Sequence, residues 1–242
     1  MESSADRVKG AANVDPQVVA TPEGFEVRMG ARAFGSGDGK PVRATTRALA
    51  HAIAADIHRV GRTATLRQVP LAQLCLLATD VEAHRDAMVD TLARYADTDL
   101  ICYRVETPET LRVLQHAGWQ PLAEWAERRF GARLRVTAGL MPVPQSDEAI
   151  APLRAAVAGR TDTELVALRA AVGATGSLVV ALAWLEQEID SQRAWELGNL
   201  DERYQIERWG ADPEAVAALE ARRLELLNAE RFLELSRLEG ST

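Results

Sequence analysis

Leu200-Asp201-Glu202-Arg203-Tyr204-Gln205-Ile206-Glu207-Arg208-Trp209-Gly210 is the stretch on which the reading of this chain turns. Its spacing makes it the last turns of an amphipathic helix beginning near Ser191, with Gly210 past the end and Asp212-Pro213 opening the next helix as N-cap and first-turn residue. At helical spacing Ala194, Leu197, Leu200, Tyr204 and Trp209 spread over a broad apolar arc. Asp201 falls inside that arc, Gln205 one turn on and Arg208 a further turn away. A carboxylate, an amide and a guanidinium thus stand in line where periodicity expects aliphatic groups. A buried carboxylate is costly unless paired or hydrogen-bonded, so the row has two readings. It is either an internal network, with Asp201 accepting from Arg208 or from a neighbouring backbone amide, or a surface that meets a partner.

Outward from this helix, everything after Ser146 reads as helical. Thr161-Asp162-Thr163-Glu164 has the spacing of a capping box. Gly176 to Leu185 is apolar on all sides, so its helix belongs at the buried centre of a bundle. A last helix from Pro213 to about Leu238 carries Val216, Leu219, Leu227 and Phe232. Earlier, Leu100-Ile101-Cys102-Tyr103-Arg104-Val105 and Arg133-Leu134-Arg135-Val136-Thr137 alternate as strands do. Thr107-Pro108 should open a helix that Gly118 and Pro121 kink or split, and Met141-Pro142-Val143-Pro144 forms a stiff connector.

The first third changes period. Phe25-Glu26-Val27-Arg28-Met29 alternates apolar and charged residues, as a half-buried strand does, and Leu49, Ile53 and Ile57 repeat as on one face of a helix from Thr46 to Gly61. Past Pro70, Leu71, Leu74, Leu77 and Ala78 continue as a helical stripe. The glycine-rich segment from Gly35 to Pro41 lacks Walker spacing, having Phe34 and Pro41 where glycine and a hydroxyl residue would be needed, and reads as a hairpin turn. The expected fold class is α+β. A small β-containing N-terminal domain spans residues 1–80, with a loosely ordered leader over 1–22 and a short strand around Gln17-Val18-Val19. A mainly α-helical bundle domain spans 81–242.

Totals exclude several classes of function. A net charge of −7 over 242 residues argues against a broad nucleic-acid or anionic-membrane surface, both of which need clustered cations. No apolar run is long enough to span a membrane, and Met1 to Asn13 lacks the character of a secretory or transit segment, so a cytoplasmic protein is expected. Cys75 and Cys102 lie far apart and suit reduced thiols. His51, His58, His84 and His116 are scattered outside any metal motif, Ser177 has no nucleophile elbow, and Asp97/Asp99 and Glu186/Glu188 read as turn, cap or solvated-face acids. No catalytic, cofactor-binding or metal-ligating residue is named.

Thr46-Arg47-Ala48-Leu49-Ala50, Thr98 to Arg104, Trp119-Gln120-Pro121-Leu122-Ala123-Glu124-Trp125, Leu134 to Val143, Gly176-Ser177-Leu178 and Asp201 to Gly210 together, in that order, resemble the assembly chaperones that escort the alpha subunit of the catalytic head of F-type ATP synthase. The resemblance covers roughly residues 24 to 238. It departs from the family pattern at Ile57, where a tryptophan is usual, at Gly30-Ala31-Arg32-Ala33, and over Leu71 to Asp80. It implies a two-domain chaperone that binds the unassembled alpha subunit, shields its interface until assembly, needs no nucleotide and is a monomer when free. Its compartment would be the bacterial cytoplasm, or the mitochondrial matrix after removal of a transit peptide. It also marks Asp201 as a functional acid, and with it Glu202, Tyr204, Gln205, Arg208 and Trp209 as candidates for client contact. The competing expectations are a small-molecule enzyme with a cleft between two domains and a helical scaffold for another client.

Overall fold

The computed structural model describes residues 15–61, 63–138 and 143–238. The expectations for the leader before residue 15 and for Met141-Pro142 of the connector lie outside them. The class is α+β, as the patterning implied: small sheets in the N-terminal region, then helices.

The N-terminal sheet is built on β2 (Gly24–Met29), which pairs antiparallel with β1 (Gln17–Thr21) on one side and with β3 (Arg32–Ala33) and β4 (Arg43–Ala44) on the other. Alternation buries Val27 at 1% exposure. The charged side of β2 does not stay in water, however, because Glu26 is also buried. Its carboxylate accepts from Arg28 at 3.0 Å and lies 3.6 Å from Arg43, so two guanidinium groups cover it. Gly35 to Pro41 makes the expected turn, closed by the Ser36 N–H on the Lys40 carbonyl and the Gly39 N–H on the Ser36 carbonyl.

Helix α1 (Arg47–Val60) lays Leu49, Ala50, Ile53 and Ile57 on this sheet with no exposure at all. Thr46 caps it by accepting from the Leu49 N–H at 3.1 Å, and Gly61, at φ 97°, ends it. The same Thr46 hydroxyl donates to the Leu235 carbonyl at 2.7 Å. Asp56, buried on α1, pairs with Arg59 at 2.9 Å and with Arg231 at 3.0 Å. Leu235 and Arg231 both belong to the last helix, α9 (Pro213–Arg237), so these two contacts fasten it to the N-terminal region.

Helix α2 (Pro70–Ala93) begins with a proline at its first turn and bends at His84, whose φ of −133° is not helical. Residues 80 and 81, where the sequence places the division between domains, both lie within it. Two short strands, β5 (Tyr103–Arg104) and β6 (Thr137–Ala138), pair in parallel. They replace the longer strands expected over Leu100–Val105 and Arg133–Thr137. Leu100 to Cys102 are instead wound into a 3₁₀ turn, in which the Ile101 amide is held by the Asp99 carboxylate at 3.3 Å.

Helix α3 (Glu109–Phe130) starts after Pro108, which occupies the cap position without a side-chain bond, and runs unbroken through Gly118 and Pro121. The split that Gly118 and Pro121 could have caused does not occur, and Trp119, Leu122 and Trp125 are buried on both sides of the proline. Helices α4 (Asp147–Ala158), α5 (Asp162–Thr175) and α6 (Leu178–Leu185) follow. The capping box forms at the start of α5, where Thr161 accepts from the Glu164 N–H and Glu164 from the Thr161 N–H. Every residue of α6 is buried. Burial contributes about 1.5–3 kcal/mol for each large apolar side chain, which outweighs the few tenths lost by placing Val179 and Val180 in a helix.

Asp99 is fully buried where these elements meet, accepting from Ser177 Oγ at 2.6 Å and from the Val179 N–H at 3.1 Å. It is a cap, as expected, but one in the core. Burial pushes its carboxyl up to about 6, against the pull of those donors.

Candidate functional site

The single helix expected from Ser191 to Trp209 is two helices, α7 (Ser191–Gly198) and α8 (Leu200–Trp209), broken at Asn199. Asn199 is fully buried. Its amide donates to the Ala174 carbonyl at 3.2 Å and the Trp195 carbonyl at 2.9 Å, and its oxygen accepts from Arg222 at 2.6 Å. Beside it, a Cβ on Gly198 would stand 2.5 Å from Thr175 Cα, so only glycine lets α7 end against the backbone of α5. The break resets the helical phase between Leu197 and Leu200; Asp201, Gln205 and Arg208 all lie within α8, still in line, but of the three only Asp201 is half-buried.

The head of α8 forms a joint with α3. Asp201, half-buried in the first turn of α8, accepts from Gln115 Nε2 at 2.8 Å. The expected internal partner, Arg208, is exposed, as is Gln205. Gln115 is fully buried, and its own oxygen accepts from the Val105 N–H at 2.8 Å. Glu202 pairs with Arg222 at 3.2 Å, and the hydroxyls of Tyr204 and Thr110 share a hydrogen bond at 2.6 Å. Arg203 lies over the Trp195 ring at 5.2 Å. Trp209 is 71% exposed where the apolar arc would have it covered, because α8 is a ledge with no fully buried residue and ends at Gly210.

Burial raises the carboxyl pKa of Asp201, the Gln115 hydrogen bond opposes the rise, and the neighbouring Glu202 charge adds to it. Gln115 was missed in the sequence although it carries the same signal as Asp201. It stands one turn after Leu111 and one before Trp119, a polar group on an apolar face.

Alongside the joint runs a cleft of about 300 Å³, its apolar lining of Leu114, Leu197, Leu200 and Tyr204 rimmed by the charged side chains of Arg193, Glu196, Arg203 and Glu207. Leu114 and its neighbour Val113 are 48% and 51% exposed. The cleft thus mixes apolar surface with charges of both signs, next to the half-buried Asp201 carboxylate. Among the described residues, no group of three or more His, Cys, Asp or Glu is placed to hold a metal ion, and no helix is long and apolar enough to cross a membrane.

The model of the family described as ATP12 chaperone protein matches residues 10–127. The crystal structure of Atp12 from Paracoccus denitrificans is 36% identical and superposes with a TM-score of 0.83, the match covering 92% of this chain and 96% of that one. The chain belongs to the ATP12 chaperone family. Among other solved structures, Atu1473 from Agrobacterium tumefaciens is 31% identical with a TM-score of 0.82, the match covering 91% of this chain and 84% of that one. A curated ATP12 relative, protein atp12, mitochondrial, from Schizosaccharomyces pombe, is 28% identical over 174 residues, 67% of this chain. This chain spans 60% of that relative's length.

Proposed function

We propose that this protein is an assembly chaperone of the F-type ATP synthase that binds the unassembled alpha subunit of the catalytic head and shields its interface until neighbouring subunits arrive. Membership of the ATP12 chaperone family supports the class of function. The observation that supports a site is the α3–α8 joint, where the half-exposed Leu114 lines a cleft with Leu200 and Tyr204 beside the Gln115–Asp201 pair.

An unassembled subunit exposes apolar surface that its partners will later cover, and such surface drives aggregation. A chaperone suits this task when its grip exceeds the client's self-association yet falls below the affinity of the final interface. In this reading Asp201, Glu202, Tyr204, Gln205, Arg208 and Trp209 form the contact edge, with Asp201 either touching the client or fixing the pitch of α8. No bond is made or broken, no nucleotide is needed, and the free protein is a monomer. A β-bearing N-terminal unit and a helical C-terminal unit divide near residue 80, with α2 shared between them. The working compartment is wherever the unassembled subunit is found, the bacterial cytoplasm or the mitochondrial matrix.

Light scattering tests the proposal. Alpha subunit diluted from denaturant should stay in solution when the protein is present at an equimolar ratio; aggregation at an unchanged rate would overturn it. Affinity capture from a cell extract should recover that one ATP synthase subunit, whereas a small-molecule enzyme would recover nothing reproducible.

A further inference from the structure

The elbow between α7 and α8 is held by one side chain from a third helix. Arg222 on α9 donates from a single nitrogen, Nη1, to Asn199 Oδ1 at 2.6 Å and to Glu202 Oε1 at 3.2 Å. Asn199 is the break residue and Glu202 stands in the first turn of α8, so one guanidinium ties the elbow to the helix that leaves it. Among the described residues, no other side chain of α9 reaches α8 by a hydrogen bond or ion pair.

The two helices on either side of the elbow are anchored unequally. α7 buries Ser191, Ala194, Leu197 and Gly198 and is fastened to α9 at two points. Ser191 Oγ donates to Glu230 Oε1 at 2.5 Å and Trp195 Nε1 to the Leu219 carbonyl at 3.1 Å. α8 has no buried residue, and among the described residues Leu200 is its only side chain packed against the core. Its other ties are Asp201 to Gln115, Glu202 to Arg222, Arg203 over Trp195 and Tyr204 to Thr110, all at its head. From Gln205 to Trp209 no side chain makes a hydrogen bond or ion pair among the described residues, so the pitch of the outer half follows from how the head is clasped.

Two local preferences are set aside at this elbow. Asparagine is a favoured N-cap because its side-chain oxygen accepts from an amide of the turn that follows. Asn199 makes no such bond, and its oxygen is turned to Arg222 instead. A cation at the N-terminus of a helix also opposes the helix dipole, yet Arg222 stands there, with Glu202 as its counter-charge. Breaches of local rules cluster where geometry serves a function, and here the same guanidinium makes both.

We infer that Arg222 is a positioning residue for client handling: it fixes the angle at which α8 leaves α7, and so sets where α8 presents its contact edge to a partner polypeptide. It acts through α8, not by contact with the client. Gln115 on α3 grips Asp201 from the other flank, so the head of α8 is clasped between α3 and α9, and releasing the α9 arm leaves the helix to swing about Asn199. The inference rests on the chaperone reading above.

Amide hydrogen exchange on the full chain separates α8 from the core, with Leu178–Leu185 as the internal reference. Arg222→Met should speed exchange over Leu200–Trp209 by about tenfold while Leu178–Leu185 stays protected, and should weaken protection of unfolded alpha subunit in light scattering. Arg222→Lys, which keeps a cationic donor, should restore both. Glu202→Gln, on an exposed side chain, loosens the same tie from its other end and should speed exchange over α8 by about threefold with the fold intact. Arg231→Met removes a tie of the same kind from the same helix, the one to Asp56, and should lower Tm with α8 exchange and client protection unchanged. The inference is overturned if α8 exchanges in Arg222→Met and Glu202→Gln as it does in the unaltered protein. It is also overturned if Arg222→Met loses protection only together with the core and lysine does not rescue it, or if Arg231→Met loses as much. If the unaltered protein fails to keep alpha subunit in solution, the chaperone reading fails and this inference with it. If it succeeds and Arg222→Met succeeds equally, only the role given to Arg222 fails.

Discussion

Gln115 Nε2 donates to Asp201 Oδ1 across 2.8 Å, so that a fully buried amide on α3 and a half-buried carboxylate at the head of α8 hold each other in place. The other end of the same amide accepts from the Val105 N–H. One side chain thus fixes three segments of chain, and the carboxylate that the family resemblance marks as functional depends on it.

Asp201→Asn separates charge from geometry. The asparagine would keep an oxygen for Gln115 while removing a charge whose burial is unfavourable, so Tm should hold or rise. Protection of unfolded alpha subunit should fall. Asp201→Ala leaves the Gln115 N–H without its acceptor and should cost about 1–3 kcal/mol of stability as well. Thermal melts and light scattering on the same preparations distinguish the two effects. Full protection by Asp201→Asn would show that the charge has no part in client handling.

Gln115→Leu conserves bulk but strips the Val105 N–H and the Asp201 carboxylate of their partners together. A loss of about 1–3 kcal/mol is expected, or a Tm lower by about 2–4 °C for each kcal/mol in a chain of this size. A urea midpoint within error of the unaltered protein would mean that water replaces both bonds.

Asp99 makes stability depend on pH in a stated direction. With a folded-state value of about 6 against the ordinary 3.8, the folded protein binds this proton more tightly than the unfolded chain does. The penalty for its charge is present in full above pH 6 and vanishes as pH falls toward the unfolded value, a swing of roughly 3 kcal/mol. Asp99→Asn has no such proton. The stability of the unaltered protein minus that of the variant should therefore increase between about pH 7 and about pH 4.5, and urea titrations at the two values measure it. A constant difference would place the Asp99 proton outside this window.

Gly198→Ala should be severe for so small a change, because the added carbon would sit 2.5 Å from the Thr175 backbone, which cannot swing aside as a side chain can. A loss of about 1–3 kcal/mol or more is expected from separating α7 from α5. Denaturant unfolding measures it, and a cost below about 0.5 kcal/mol would mean that the two helix ends slide apart freely.

The class of the fold was legible because burial follows period. The all-apolar run of α6 had to be central, and Leu49, Ile53 and Ile57 had to face a sheet. The capping box at Thr161 is local and could be read directly, as could the start of a helix at Thr46. What could not be read depends on contacts distant in sequence. The break at Asn199 is made by the ends of α5 and by Arg222 on α9, so the arc that continued smoothly on paper from Leu197 to Trp209 is cut in space. α3 stays whole across Pro121, with a tryptophan buried on each side. At the candidate site, the misfit of Asp201 within an apolar face was visible, but its partner was assigned to its own helix. The donor lies on α3, 86 positions away.

The bond from Thr46 to Leu235 spans 189 positions, and Arg231 lies 175 positions from Asp56. A ribosome delivers these partners among the last residues of the described chain. Until then Asp56 has only the solvent-facing Arg59 nearby, and the first helix waits for its latch. Closing so large a loop is slow compared with winding a helix. A protein proposed to guard another's unfinished surfaces therefore spends its own synthesis with one of them open.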